Sequence, residues 1–152
     1  MEDRDFMLRA LALAREAGAE GEVPVGAVIT RNGKVVGEGR NRRERDKNAL
    51  AHAEIEAIEA ACRSLNGWRL WECELYVTLE PCPMCAGAII NARIKRVVFG
   101  AADEKAGSCG SVVNLFELPY NHRPALTGGY MAEECAMELT NFFAKLRKEQ
   151  SP

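Results

Sequence analysis

Apolar side chains at Phe6, Leu8, Leu11, Leu13 and Ala17 return at roughly helical spacing until Gly18 interrupts them, which predicts a helix over 6–17. The period then shortens. Apolar residues crowd 25–30, Asn32-Gly33 follows, and a second extended run covers 35–41. Asn-Gly between two such runs predicts a hairpin, because both turn positions need positive φ. Residues 40–47 are polar and carry Arg40, Arg42, Arg43, Arg45 and Lys47, which reads as an exposed basic loop. From His52 the helical period resumes. Ile55, Ile58, Cys62 and Leu65 form a stripe expected to be buried, Glu59 and Arg63 pair at i,i+4 on the other face, and Asn66-Gly67 supplies the stop.

A strand over 75–79, a helix opened by Pro81 and Pro83 and running to about Arg93, and a strand over 97–100 complete the middle of the chain. Strand, helix and strand with short links predict a right-handed crossover and parallel pairing. Residues 100–119, around Gly107-Ser108-Cys109-Gly110, form a loop of the length that more often carries function than not. A short strand near Ala125 precedes a last helix over 132–149. No repeat or linker divides the sequence, so a single α/β domain is expected over 1–152.

Composition narrows the class. At 152 residues, 47% hydrophobic and 28% charged, the chain has the make-up of one ordinary globular domain, which excludes disorder and low-complexity architecture. No apolar run approaches the ~18 residues of a membrane span. The opening Met-Glu-Asp-Arg-Asp has neither the basic nor the apolar region of a secretory signal, so a cytoplasmic location is expected. A formal charge of −2 excludes a uniformly basic nucleic-acid binder, leaving only a local patch for such contacts. Six cysteines in this setting read as reduced thiols, some of them metal ligands.

The chemistry concentrates in His52-Ala53-Glu54 and Pro81-Cys82-Pro83-Met84-Cys85, each at a predicted helix start. Thiolates at i,i+3 chelate zinc well, and a helix N-terminus favours the thiolate form. His52 adds a third ligand. His52 and Glu54, at i,i+2, reach one site only from an exposed first turn. Three protein ligands leave a coordination position for water, as in catalytic sites, whereas structural sites close with four. Water on zinc has its pKa lowered to ~7, and a neighbouring carboxylate, Glu54, can shuttle its proton. Two other readings stand beside this one: Cys-Pro-x-Cys as a redox pair, and a closed structural site with Cys62, Cys73 or Cys109 as fourth ligand.

His-Ala-Glu followed by Pro-Cys-x-x-Cys is the signature of zinc-dependent nucleobase deaminases. The resemblance extends further, through Glu22-Val-Pro-Val-Gly-Ala, Gly37-Glu-Gly-Arg-Asn41, Ala51-His-Ala-Glu54, Thr78-Leu-Glu-Pro-Cys82, Cys85-Ala-Gly-Ala88, Arg96-Val-Val-Phe-Gly100, Asn121-His122-Arg123 and Phe142-Phe143. Over nearly its whole length the chain resembles the bacterial tRNA-specific adenosine deaminases. One stretch departs: Lys47-Asn48-Ala49-Leu50 stands where that family more often has an Asp-Pro-Thr-like run.

The resemblance implies a three-layer α/β/α cytidine-deaminase-like fold with a five-stranded mixed sheet, one zinc ion per subunit, a homodimer, and a tRNA anticodon stem-loop as substrate. It implies hydrolysis of adenosine to inosine at the wobble position. Carried over by motif, His52, Cys82 and Cys85 hold zinc and Glu54 moves protons. Asn41 contacts the flipped base, Asn121 and His122 line the anticodon, Phe142 meets a flanking nucleotide, and Asp103 and Lys105 approach the RNA. Arg40, Arg42, Arg43, Lys145, Arg147 and Lys148 are expected phosphate contacts. A free-base or nucleoside deaminase acting on guanine or cytosine with the same zinc site is the alternative activity, and a non-catalytic zinc scaffold the alternative of another class.

Overall fold

The computed structural model describes residues 2–150. Helix α1 (Asp3–Ala19) leads into the hairpin of β1 (Gly26–Arg31) and β2 (Lys34–Arg40). A four-residue helix α2 (Arg43–Asp46) and helix α3 (Ala53–Leu65) follow, then β3 (Cys73–Leu79), α4 (Pro83–Ala92) and β4 (Arg96–Ala101). A short 3-10 turn at Leu115–Glu117, strand β5 (Ala125–Thr127) and helix α5 (Ala132–Gln150) complete the order. The five strands form one sheet in the order β2-β1-β3-β4-β5. It is mixed: β1 pairs antiparallel with β2 and β3, while β3–β4 and β4–β5 are parallel. The expected hairpin, the parallel crossover and the three layers are all present.

The inner strands are apolar on both faces, as strands covered on two sides must be. Ala27, Ile29, Leu75, Val77, Val97 and Phe99 enter the core under α3 and α4. The alternate residues Val28, Tyr76 and Val98 enter the core under α1 and α5, with Phe6, Met7 and Leu11. This two-residue alternation aligns across three strands because Val28 stands opposite Tyr76 and Tyr76 beside Val98.

Two helix faces differ from the expected stripes. In α1 the buried residues include Met7, Ala10 and Ala14, and Leu8 is turned outward. In α3 the fully buried face is Ala53, Ala57 and Ala61, while Ile58, Cys62 and Leu65 pack at its side, partly buried. The cause lies in β2. Gly37 and Gly39 face α3, and a Cβ at either would overlap a helix carbonyl, that of Ala57 or of Ala53. With glycine on the strand and alanine on the helix the two backbones approach closely, so small residues occupy the interface and larger ones flank it. The expected exposed loop at 40–47 is also revised. Residues Arg43–Asp46 form α2, held by Glu22, whose buried carboxylate accepts the amides of Glu44 at 3.1 Å and Arg45 at 2.8 Å.

Candidate active site

His52 and Cys82 occupy equivalent places. Each is the extended residue just before a helix, His52 at φ −86°, ψ 152° ahead of α3 and Cys82 at φ −76°, ψ 175° ahead of α4. Pro83 then fixes the first turn of α4 where amides lack helical partners. Cys85 follows one turn later and is buried. His52 Nδ1 lies 3.6 Å from Cys82 Sγ and 3.4 Å from Cys85 Sγ. Their three ligand atoms all fall within 4.8 Å of one another, and no other His, Cys, Asp or Glu among the described residues joins the group. Cys73 and Cys109 are buried elsewhere in the core and Cys62 is half-buried, so the closed four-ligand site is not formed. A nitrogen and two sulfurs, converging from helix N-termini and leaving one side open, fit a catalytic zinc ion.

The electrostatics of the pair of thiols agree with that use. Cys82 accepts hydrogen bonds from Cys85 and His52, which hold it down to about 4 despite its burial. Cys82 beside it, together with burial, pushes Cys85 well above the usual thiol range. A divalent cation among the three ligands ionises both thiols outright. Glu54 sits in the first turn of α3, almost fully buried, and desolvation pushes its carboxyl up to about 7. A carboxyl with that value both takes and gives protons at neutral pH.

His52, Cys82 and Glu54 open onto a cavity of about 630 Å³. Its walls carry His52, Glu54 and Cys82 together with Asn41, Arg43, Asp103, Lys105 and Phe143. Asn41, at the end of β2, is buried; its Nδ2 donates to Val23 O at 3.2 Å, while its Oδ1 has no hydrogen-bond partner. A buried carbonyl oxygen without a protein partner, on the wall of a cavity, keeps its acceptor capacity for a group entering the cavity. Asp103 Oδ1 accepts the amides of Lys105 at 3.0 Å and Ala106 at 3.2 Å and so shapes the turn that presents Lys105.

The other expected contacts fall elsewhere. Phe142 lines a neighbouring cavity of about 330 Å³, and Phe143 belongs to both cavities, its ring meeting that of Phe142 edge-on at 5.3 Å. Asn121 and His122 do not line either cavity; His122 Nε2 meets Ile94 O at 2.7 Å, beside the start of β4, whereas the cavity lies at the strand ends near Leu79 and Ala102. Arg40 binds Glu20 at 2.8 Å and Glu16 at 3.3 Å. Arg42 Nε stands 2.6 Å from Glu56 Oε2, an ion pair without hydrogen-bond alignment. Both cations are thus neutralised within the chain, and of the basic cluster Arg43 is the member that faces the two cavities.

One residue in the site went unassigned by motif. Glu80, between β3 and Pro81, is buried and accepts from the amides of Asp103, Cys109 and Ser111, each at 3.0 Å, and from the Ser111 hydroxyl. Burial acts to raise its carboxyl, and these hydrogen bonds outweigh it and hold the group below the usual value. The sequence signal for it is an acidic residue closing an otherwise apolar strand.

The cytidine and deoxycytidylate deaminase zinc-binding region matches residues 1–101. A tRNA-specific adenosine deaminase of Bacillus subtilis is 45% identical over 150 residues, covering 98% of this chain and 93% of its own length. One of Haemophilus influenzae is 46% identical over 150 residues, covering 97% and 87%. A solved structure from work on A-to-I editing by tRNA:A34 deaminases at the wobble position of transfer RNA superposes with a TM-score of 0.87 at 44% identity, over 90% of this chain and 99% of that one. The chain belongs to the cytidine and deoxycytidylate deaminase family and, within it, to the tRNA-specific adenosine deaminases.

Proposed function

We infer that this protein is a zinc-dependent hydrolase that converts adenosine to inosine at the wobble position of a tRNA anticodon. The observation that carries the reading is the joint placement of His52, Cys82 and Glu54 on one cavity, with Cys85 completing the ligand group behind it, in a chain nearly half identical to tRNA-specific adenosine deaminases over almost all of its length. His52, Cys82 and Cys85 would hold the zinc ion, which supplies Lewis acidity for making a nucleophile of water at neutral pH.

The remaining chemistry belongs to the protein. Glu54 takes a proton from the attacking water and delivers it to N1 of adenine as C6 is attacked. It then passes the second proton to the 6-amino group, which departs as ammonia, leaving the C6 carbonyl of inosine. Water is consumed and ammonia released, with no redox change. Asn41 Oδ1, unpartnered in the wall, accepts from the base or its sugar and orients it. The reacting base must leave its stack, and an anticodon loop with splayed bases makes that cheap. Arg43, Lys105 and Phe143 line the same cavity and supply phosphate and stacking contacts to the flanking nucleotides.

The reading brings with it a homodimer, supported by the exposed apolar side chains Val112, Val113, Leu118 and Tyr120 on one segment after β4. It also places the protein in the cytoplasm with its substrate; no helix among the described residues is long and apolar enough to cross a membrane. The test is ammonia release by zinc-loaded protein from an anticodon stem-loop with a wobble adenosine, beside free guanine, cytosine and adenosine. Turnover of the stem-loop above the free compounds supports the reading, and faster turnover of a free base replaces it with a nucleobase deaminase.

A further inference from the structure

The two sides of the cavity are held in different ways. On the side of α3 and α4 the functional groups sit on helix starts packed against the sheet. On the other side the wall is a loop, 102–106, leading on to 107–111, with no strand or helix of its own. Such a wall positions a ligand only if something fixes its backbone.

Glu80 is placed to do this. Its Oε1 accepts from Asp103 N and the Ser111 hydroxyl, and its Oε2 from Cys109 N and Ser111 N. One carboxylate therefore ties both ends of the segment 103–111. The tie is short and stiff, because Ser108 N also donates to Pro81 O at 2.9 Å. The space between is closed as well: a Cβ on Gly107 would overlap the carboxylate of Glu80 and the carbonyl oxygen of Asp103. Glu80 and Pro81 directly precede Cys82. The segment that carries Cys82 thus also holds, through the Glu80 carboxylate and Pro81 O, the loop whose residues Asp103 and Lys105 line the cavity.

We propose that Glu80 is the positioning residue of the 103–111 loop, and that it sets affinity for the polynucleotide by holding Asp103 and Lys105 at a fixed distance from the metal ligands. The proposal rests on the reading of the site as an RNA deaminase. It makes a specific demand of the isosteric variant Glu80→Gln. An amide offers one acceptor oxygen where the carboxylate has two, so its NH2 group must face existing donors. Turned toward Cys109 and Ser111 it opposes two backbone amides. Turned the other way it opposes one, Asp103 N, and the Ser111 hydroxyl can rotate to accept. The second orientation prevails and frees the Asp103 end, the one on the cavity.

The experiment pairs steady-state kinetics on the stem-loop with amide hydrogen exchange, both on the zinc-loaded full chain. For Glu80→Gln the expected result is a rise in KM of about tenfold with kcat within about twofold, since uniform binding is lost and the chemistry is not. Bound zinc stays at the wild-type level. Exchange accelerates at Asp103, Lys105 and Ala106 and stays unchanged in α3 and α4. Ser111→Ala, which removes a single hydrogen bond, gives the same pattern more weakly, and serves if Glu80→Gln does not fold. Loss of kcat at unchanged KM, loss of zinc, or exchange that accelerates evenly over the whole chain would overturn the proposal. If the wild-type protein does not deaminate the stem-loop, the RNA reading fails. Exchange confined to the loop then upholds Glu80 as its anchor, and unchanged exchange there refutes it.

Discussion

Replacing Gly39 with alanine connects the packing of the fold to the geometry of the site. The new Cβ would stand 2.7 Å from Ala57 N and 2.9 Å from Glu56 Cβ, and would overlap the carbonyl oxygen of Ala53. Ordinary contact begins near 3.4 Å, so α3 must retreat from β2 by at least about 0.7 Å at its first turn. The obstacles are backbone atoms, which cannot rotate away. Overpacking of this kind costs about 1–3 kcal/mol, and the smaller entropy of alanine in the unfolded chain returns roughly 0.5–1 kcal/mol. A net loss of up to about 2.5 kcal/mol corresponds to a Tm lower by up to about 10 °C in a domain of this size.

The larger effect is local. Ala53 lies between His52 and Glu54, and metal–ligand distances tolerate only about 0.2 Å of error. Gly39→Ala therefore weakens zinc at least about tenfold. Gly37→Ala provides the control: it meets Ala57 and Ala61, one to two turns further along α3, and destabilises by a similar amount without touching the ligand. Urea unfolding at saturating zinc measures the first quantity, and competition with a chromophoric chelator the second. Equal zinc affinity in the two variants would show instead that α3 does not transmit the strand contact to His52.

Three further outcomes are expected. Arg43→Gln lowers affinity for the stem-loop and reduces the slope of log K against log salt by about 0.7, as loss of one phosphate contact requires, whereas Arg40→Gln, whose guanidinium is already paired with Glu16 and Glu20, leaves the slope unchanged. Asn41→Ala lowers kcat/KM for the stem-loop by at least about tenfold while zinc content stays at the wild-type level, measured by steady-state kinetics beside metal analysis. Hydrogen bonds from Arg96, then Tyr76, outweigh burial and hold the Asp3 carboxyl below its ordinary 3.8, so its contribution to stability is present above that value and is lost as pH falls through the lower folded one. Asp3→Asn is therefore less stable than wild type at pH 7, and the gap closes toward pH 2 in urea titrations; a gap independent of pH would contradict the assignment.

The parts of this fold visible in the sequence are those where one local signal dominates. Asn32-Gly33 announces its hairpin because both residues take positive φ, 51° and 76°. His52 and Cys82 could be placed at helix starts because a proline or a change of period marks each one. The buried face of α3 differs from the expected stripe for a tertiary reason: which helix face is buried depends on Gly37 and Gly39, a neighbouring strand away. Helix α2 has no apolar period at all, since it exists through the carboxylate of Glu22 some twenty residues upstream. Glu80 is the same case, its partners lying 23 to 31 residues away. At the far end of the chain, the sequence gives Phe142-Phe143 but not which ring lines the cavity with His52 and Glu54; that place falls to Phe143, while Phe142 lines the neighbouring cavity.

In the proposed reaction this cavity deaminates a wobble adenosine with Glu54 as the group that moves protons. The most direct measurement is nucleoside mass spectrometry of an anticodon stem-loop after incubation with zinc-loaded wild-type protein or with Glu54→Gln at equal zinc content. Inosine at the wobble position alone is expected with wild type, and a rate at least about a hundredfold lower in the variant. Inosine formed at a comparable rate by Glu54→Gln, or spread over adenosines outside the wobble position, would contradict it.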